Sequence, residues 1–181
     1  MIESATSFDL LPLVECLDSG EDSYRIGIID IGSNTVRMVV YDAPARLPVP
    51  IFNERAICAL GKGIDITGHL DPVGKELAFE ALLRFCGLAK EMKVGQFRIL
   101  ATAAVRDAKD GAAFAKEVEK RFGYAVKILS GKEEAHLGAR CILGGQPNAD
   151  GLFGDIGGGS LDLVLLNTCL LYTSPSPRDR G

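Results

Sequence analysis

Asp30-Ile31-Gly32-Ser33-Asn34-Thr35 and Asp155-Ile156-Gly157-Gly158-Gly159-Ser160 are two versions of one phrase. Each places an aspartate at the end of an apolar run, then a small polar turn, then a second apolar run. Ile26, Ile28 and Ile29 precede the first turn, and Val36, Met38, Val39 and Val40 follow it. Leu152–Ile156 and Leu161–Leu166 flank the second. Short apolar, β-branched runs on either side of a glycine cluster read as paired strands, so the chain carries two β-hairpins. Either one alone reads as an ordinary glycine turn. Two of them, each opening a lobe, point to a cleft that holds phosphate. Gly/Ser-rich turns expose successive backbone N–H groups in a concave nest, where phosphate oxygens are the usual guest. Gly32 and Gly157, Gly158 and Gly159 permit close approach; Ser33, Thr35 and Ser160 add hydroxyls, and Asn34 an amide. Asp30 and Asp155 would repel phosphate directly, so they imply a divalent cation, Mg²⁺ held through water.

Working outward, residues 1–23 are polar around one short apolar patch and are expected to be a flexible extension. A Pro-rich connection (Pro44, Pro48, Pro50) leads to a third strand over Ile51–Leu60 that ends at Gly61-Lys62-Gly63. Asp71-Pro72 is a helix start, an N-cap followed by proline at the first helical position. Leu77, Ala78, Ala81, Leu82, Phe85, Leu88, Ala89 and Met92 then recur at helical spacing. Phe97–Ala101 returns to strand. A helix follows from near Asp110 to Gly123, then a strand over Ala125–Leu129. Ser130 and Glu133 form a capping box that opens a helix through about Leu143. The order β-β-β-α-β-α-β-α predicts an α/β fold, a mixed sheet with helices packed on it. Gly144–Asp150 reads as a linker.

Four regions result: the extension; a first lobe over 24–145; the start of a truncated second lobe over 150–167; and residues 168–181. This last stretch continues neither period and resembles translated adaptor sequence, a non-native tail; a native disordered tail rich in Ser, Pro and Arg is the alternative.

Composition bounds the function. The 181 residues carry 20 Lys+Arg against 24 Asp+Glu, a net charge of −4. A net acidic chain without a basic block is a poor match for nucleic acid. No apolar run approaches the roughly 18 residues of a membrane span, so no membrane partner is expected. Cys16, Cys58, Cys86, Cys141 and Cys169 are odd in number and scattered, which fits a reducing cytoplasm rather than a disulfide framework or zinc site. His69 and His136 lack partners at metal-ligand spacing and are expected to face solvent.

The two hairpins, with Ala101-Thr-Ala-Ala-Val-Arg-Asp-Ala-Lys-Asp-Gly111 and Ile128-Leu-Ser-Gly-Lys-Glu-Glu-Ala-His-Leu137 between them, resemble the exopolyphosphatase / guanosine pentaphosphate phosphohydrolase family. The resemblance covers about residues 24 to 167. It implies a ribonuclease-H-like lobe of the actin-like ATPase type, plus the opening hairpin of a second such lobe, with the active site in the cleft between them. Full-length members continue well beyond this length, and a homodimer of the full-length parent is allowed.

The family's catalytic base, a glutamate that deprotonates the attacking water, falls in the second motif. Glu133 is accounted for by the capping box, so the role passes to Glu134. A first-turn carboxylate is favoured in its charged form by the helix dipole, as a base requires. Arg106 matches the family's phosphate-contacting arginine, and its planar fork suits a phosphoryl oxygen. Read without the resemblance, Arg106 is a surface ion-pair partner of Asp107 or Asp110. Arg37 is expected only to line the sheet, and Lys62 to be solvated.

The implied activity releases terminal orthophosphate from inorganic polyphosphate, the 5′ γ-phosphate of guanosine pentaphosphate, or both, with Mg²⁺. The truncated chain is expected to be inactive by itself. A non-catalytic polyphosphate- or alarmone-binding module of the same fold is the alternative. A sugar or acid kinase shares the hairpins but needs a later nucleotide motif that this stretch lacks.

Overall fold

The computed structural model describes residues 15–16, 24–42, 49–157, 161–167 and 170–174. The chain runs through β1 (Glu15–Cys16), β2 (Ile26–Ile31), β3 (Thr35–Tyr41), β4 (Pro50–Ile57), α1 (Ile64–Thr67), α2 (Pro72–Glu91) and β5 (Gln96–Ala101). It continues through α3 (Ala103–Asp107), α4 (Gly111–Phe122), β6 (Val126–Ile128), α5 (Gly131–Gly145), β7 (Gly151–Ile156), β8 (Leu161–Asn167) and β9 (Leu170–Ser174).

Six of these strands make one mixed sheet, in the order β1-β5-β2-β3-β4 with β6 also on β5. β2 pairs antiparallel with β3, as the first hairpin requires, and parallel with β5; β6 is parallel to β5. Alternate residues of the hairpin, Ile29, Ile31, Val36, Met38 and Val40, are wholly buried. Two helices cover that face. α2 starts where Asp71 accepts from the Gly74 N–H at 2.7 Å, and it buries Ala78, Ala81, Leu82, Phe85 and Ala89. α4 buries Phe114, Ala115 and Val118 and ends at Gly123, whose φ of 77° is the left-handed conformation that glycine adopts freely. The Phe79 and Phe114 rings, 5.2 Å apart, join the two helices.

The short helices α1 and α3 were not expected; four and five residues are too few to display a period. The second sheet has the order β7-β8-β9. Its small core is Ala135 and Ala139 of α5 against Val164 and Leu166 of β8. Among the described residues, α5 therefore shares its buried cluster with the second sheet.

Two further corrections concern the ends. Glu15–Cys16 pairs with Phe97 and Gln96, so the extension is not wholly without structure; the rest of 1–23 lies outside the described residues. Leu170–Ser174 pairs with β8, where no strand was expected. The Leu-Leu-Tyr-Thr run has strand propensity, obscured in the sequence by the prolines that follow it. Among the described residues, no helix is long and apolar enough to cross a membrane.

Candidate active site

The chemistry-bearing segments leave the carboxyl ends of three neighbouring parallel strands. Ile31, Ala101 and Ile128 stand in register across β2, β5 and β6. The first turn, α3 and α5 begin just beyond them. Two backbone bonds join these exits: Thr102 N–H to Ile31 O at 3.1 Å, and Leu129 N–H to Ala101 O at 2.8 Å. In sheets of this kind, ligands collect outside the carboxyl edge.

The first turn is closed by the Gly32 N–H donating to Thr35 O at 2.9 Å. The strap Cys58–Gly61, at the end of β4, holds it from behind. Cys58 and Ala59 both donate to Asn34 O at 2.9 Å, and Gly61 donates to Ser33 O at 2.8 Å. A Cβ on Gly61 would come within 3.1 Å of the Ser33 Cβ. Ala59 is in the left-handed region at φ 53°, an unusual conformation for alanine that the surrounding bonds impose. With the carbonyls of Ser33 and Asn34 engaged, their N–H groups donate to no acceptor among the described residues. None of the turn residues has a positive φ, so the turn offers amides without the left-handed kink of a nest.

Arg106, on α3, and Glu134, in the first turns of α5, are joined. Nη1 of Arg106 donates to Glu134 Oε2 at 2.8 Å and to Leu129 O at 3.1 Å, while Nε reaches Asp107 Oδ1 at 3.2 Å. Their side chains are only 17% and 22% exposed, so this is a sheltered pair rather than a solvated one. Burial disfavours the charge on Arg106, but its bonds to Glu134 and Asp107 outweigh that and raise its pKa. The Asp107 partner expected from local sequence is thus present, but the longer-range partner is Glu134.

Glu133 is committed elsewhere. Lys127 at 2.9 Å and the Ser130 N–H at 2.9 Å hold its carboxyl at a pKa of about 2, and the Ser130 hydroxyl completes the capping box. Glu133 thus closes the capping box expected from the sequence, while its neighbour Glu134 pairs with Arg106.

Asp30 is an exposed residue, yet crowding by the protein penalises its charge and raises its pKa. Arg37 lowers that pKa, and the charge of Asp155, the aspartate of the second phrase, raises it. Arg37 itself donates to Asn53 Oδ1 at 2.9 Å. Asp155 is exposed, on β7 opposite Asp162. Two mutually repelling carboxylates fit a hydrated Mg²⁺, which commonly takes one or two carboxylates and completes its shell with water and phosphate. No group of three or more metal-binding side chains occurs among the described residues. Gly157 is exposed, whereas Gly158, Gly159 and Ser160 lie outside the described residues.

His69 stands 3.6 Å from Asp110, half-exposed, and belongs to the loop packing instead of the cleft. Sequence reasoning missed the strap. The only available signal for the strap was the Gly61-Lys62-Gly63 turn, which gives no hint of the hydrogen bonds behind it.

A mixed sheet of this order, with a Gly/Ser turn and a Glu–Arg pair at its carboxyl edge and a second Asp-Ile-Gly hairpin beyond, is the actin-like ATPase type of ribonuclease-H-like fold. Within that class the chain belongs to the Ppx/GppA phosphatase family, whose pattern matches residues 39–173. It is 30% identical over 142 residues to Exopolyphosphatase 1 of Mycobacterium tuberculosis, a match covering 77% of this chain and 41% of that protein. Among solved structures it resembles an exopolyphosphatase from Cytophaga hutchinsonii (TM-score 0.75, 28% identity, 83% of this chain and 49% of that one). It also resembles the Ppx/GppA family member of Aquifex aeolicus (TM-score 0.72, 26% identity, 83% and 51%). The chain spans about half the length of the relatives it matches.

Proposed function

We propose that this chain supplies one wall, and the opening of the other, of a phosphohydrolase that releases terminal orthophosphate from inorganic polyphosphate. Guanosine pentaphosphate is a second substrate by the same chemistry. The observation that carries this reading is the sheltered Arg106–Glu134 pair at the carboxyl edge of β2, β5 and β6, in a chain of the Ppx/GppA family. Glu134 takes a proton from water, and the oxygen lone pair attacks the terminal phosphorus. The bridging P–O bond breaks, and its electrons leave with the shortened chain. Water is the nucleophile, so no covalent protein intermediate is needed.

Arg106 uses donors not spent on Glu134, Leu129 or Asp107 to hold a phosphoryl oxygen. The Ser33 and Asn34 amides, with the hydroxyls of Ser33 and Thr35, receive other oxygens of the anion. Asp30 and Asp155 would hold Mg²⁺, which when bound supplies charge neutralisation for the phosphoryl oxygens. By sequence, Gly157, Gly158, Gly159 and Ser160 are the counterpart of Gly32, Ser33, Asn34 and Thr35 in the second Asp-Ile-Gly phrase.

The test is orthophosphate release from polyphosphate with Mg²⁺, using a chain extended to the length of its relatives. Glu134→Gln should lower kcat roughly 10²-fold or more, the scale of a general base. Near-normal kcat in that variant would remove Glu134 from the mechanism. An extended wild-type chain that binds tripolyphosphate but releases nothing would be a binding module instead.

A further inference from the structure

We propose that Gly74 is a positioning residue for the phosphate cleft, acting through the Cys58–Gly61 strap on the Ser33–Asn34 turn. This rests on the reading of that turn as a phosphate site. Gly74 is buried in the first turn of α2, outside the left-handed region, so its φ does not demand glycine. Alanine would be the better helix former at such a position. Space is what excludes it. A Cβ there would stand 2.8 Å from Cys58 O, 3.1 Å from Leu60 Cα and 3.2 Å from Ala59 C. All three are backbone atoms of the strap, which cannot swing aside as a side chain does. By contrast, Gly87, further along the same helix, would meet nothing within 4 Å.

The consequence passes forward along the hydrogen bonds already described. Cys58, Ala59 and Gly61 are the residues whose amides fix Asn34 O and Ser33 O. The Leu60 carbonyl, in turn, accepts from the Asp71 N–H at 3.0 Å, at the N-cap of α2. The start of α2 therefore lies flat against the back of the strap, and the strap lies against the turn. A displacement of a few tenths of an ångström at Gly74 reaches the two carbonyls that orient the turn, with no atom of Gly74 touching the anion. Sites that hold phosphoryl groups depend on such support behind the contacting groups.

The experiment compares variants of the 181-residue chain by amide hydrogen exchange and by calorimetry with sodium tripolyphosphate. Gly27→Ala is the control for general damage. Its Cβ would come about as near a neighbour, 2.9 Å from the Phe97 ring, but that neighbour is a side chain, and Gly27 lies at the opposite end of β2 from the turn. Gly87→Ala is the control for helix propensity. Gly74→Ala should speed exchange of the Cys58, Ala59 and Gly61 amides at least tenfold beyond any change in the β5 amides, and weaken tripolyphosphate binding at least tenfold. Gly27→Ala and Gly87→Ala should move neither selectively. Should Gly74→Ala fail to fold, Gly61→Ala is milder and presses on Ser33 directly; it should produce the same pattern at smaller amplitude. Uniform acceleration of all amides, or equal effects of Gly74→Ala and Gly27→Ala, would overturn the proposal. A wild-type chain that binds no tripolyphosphate would overturn the phosphate reading, and the exchange pattern would still decide whether Gly74 positions the turn.

Discussion

The two Asp-Ile-Gly hairpins are close relatives in sequence and very different in surroundings. The first lies in the middle of its sheet, with β5 on one side and β4 on the other. Every second residue of its strands enters a core shared with α2 and α4. The strap binds its turn from behind. The second has one further strand and one helix, and its described core is limited to a few residues around Ala135, Ala139, Val164 and Leu166. Leu152 is 67% exposed and Leu165 42% exposed. A motif of this kind is therefore only as rigid as what is packed on it, because a two-stranded hairpin is marginal in water without a hydrophobic partner.

The largest expected difference is in stability. Ile31→Ala should destabilise the protein by about 2–5 kcal/mol, the usual cost of emptying a filled core site. Val164→Ala should cost about 1 kcal/mol, the typical value for a point substitution, because its core is small and able to relax. Denaturant unfolding measures both, and equal losses would break the comparison. Native-state exchange sharpens it: β2 and β3 amides should open only with global unfolding, and β7 amides by a lower-energy local route.

Turnover comes next. The 181-residue chain should release orthophosphate from polyphosphate at least tenfold more slowly than a chain extended to the length of its relatives. Catalytic groups need geometry held to a fraction of an ångström, and a three-stranded sheet on one helix cannot hold an opposing wall that closely. Comparable rates would show the second hairpin to be as well supported as the first.

A smaller effect tests α5, which links the two regions. The Glu133 carboxyl is depressed to about 2 by Lys127 and then by the Ser130 amide. Its stabilising contribution is therefore present above the unfolded value of about 4.5 and is lost as pH falls from there towards 2. Glu133→Gln should lower Tm at pH 7 by an amount that disappears near pH 2, and should leave kcat near normal. A pH-independent loss would remove the ion pair from the account.

The smallest effect is at Asp30. Its pKa is raised above 3.8, so the folded chain binds the proton more tightly than the unfolded chain. Native stability then falls as pH rises through that window. Asp30→Asn should raise Tm slightly at pH 7 and give no gain below about pH 3.8, and Mg²⁺ should stabilise wild type more than the variant. A loss of stability at pH 7 would mean that the carboxylate is favourably paired in the fold.

Much of this was legible along the chain. The hairpin over Arg25–Asp42 showed itself through alternation, α2 through Asp71-Pro72 and its apolar period, and α5 through Ser130 and Glu133. These are local signals, since capping and strand alternation need only a few neighbouring residues. Glu134 could be separated from Glu133 for the same reason: the box uses up one of them. α1, α3, β1 and β9 were not legible, being too short for a period or, in β9, sitting beside a misleading composition.

The sequence by itself determined the two hairpins, the helix starts and the pair of phrases that identify the family, because each rests on contacts between near neighbours in the chain. Only the tertiary structure decided that Arg106 reaches Glu134, 28 residues away, more closely than its neighbour Asp107. It alone placed the strap of Cys58–Gly61 behind the first turn, and Gly74 behind the strap. Those relations arise where β2, β5 and β6 lie side by side and bring their carboxyl ends to one edge, a juxtaposition that hydrophobic burial of the sheet enforces and no local spacing encodes.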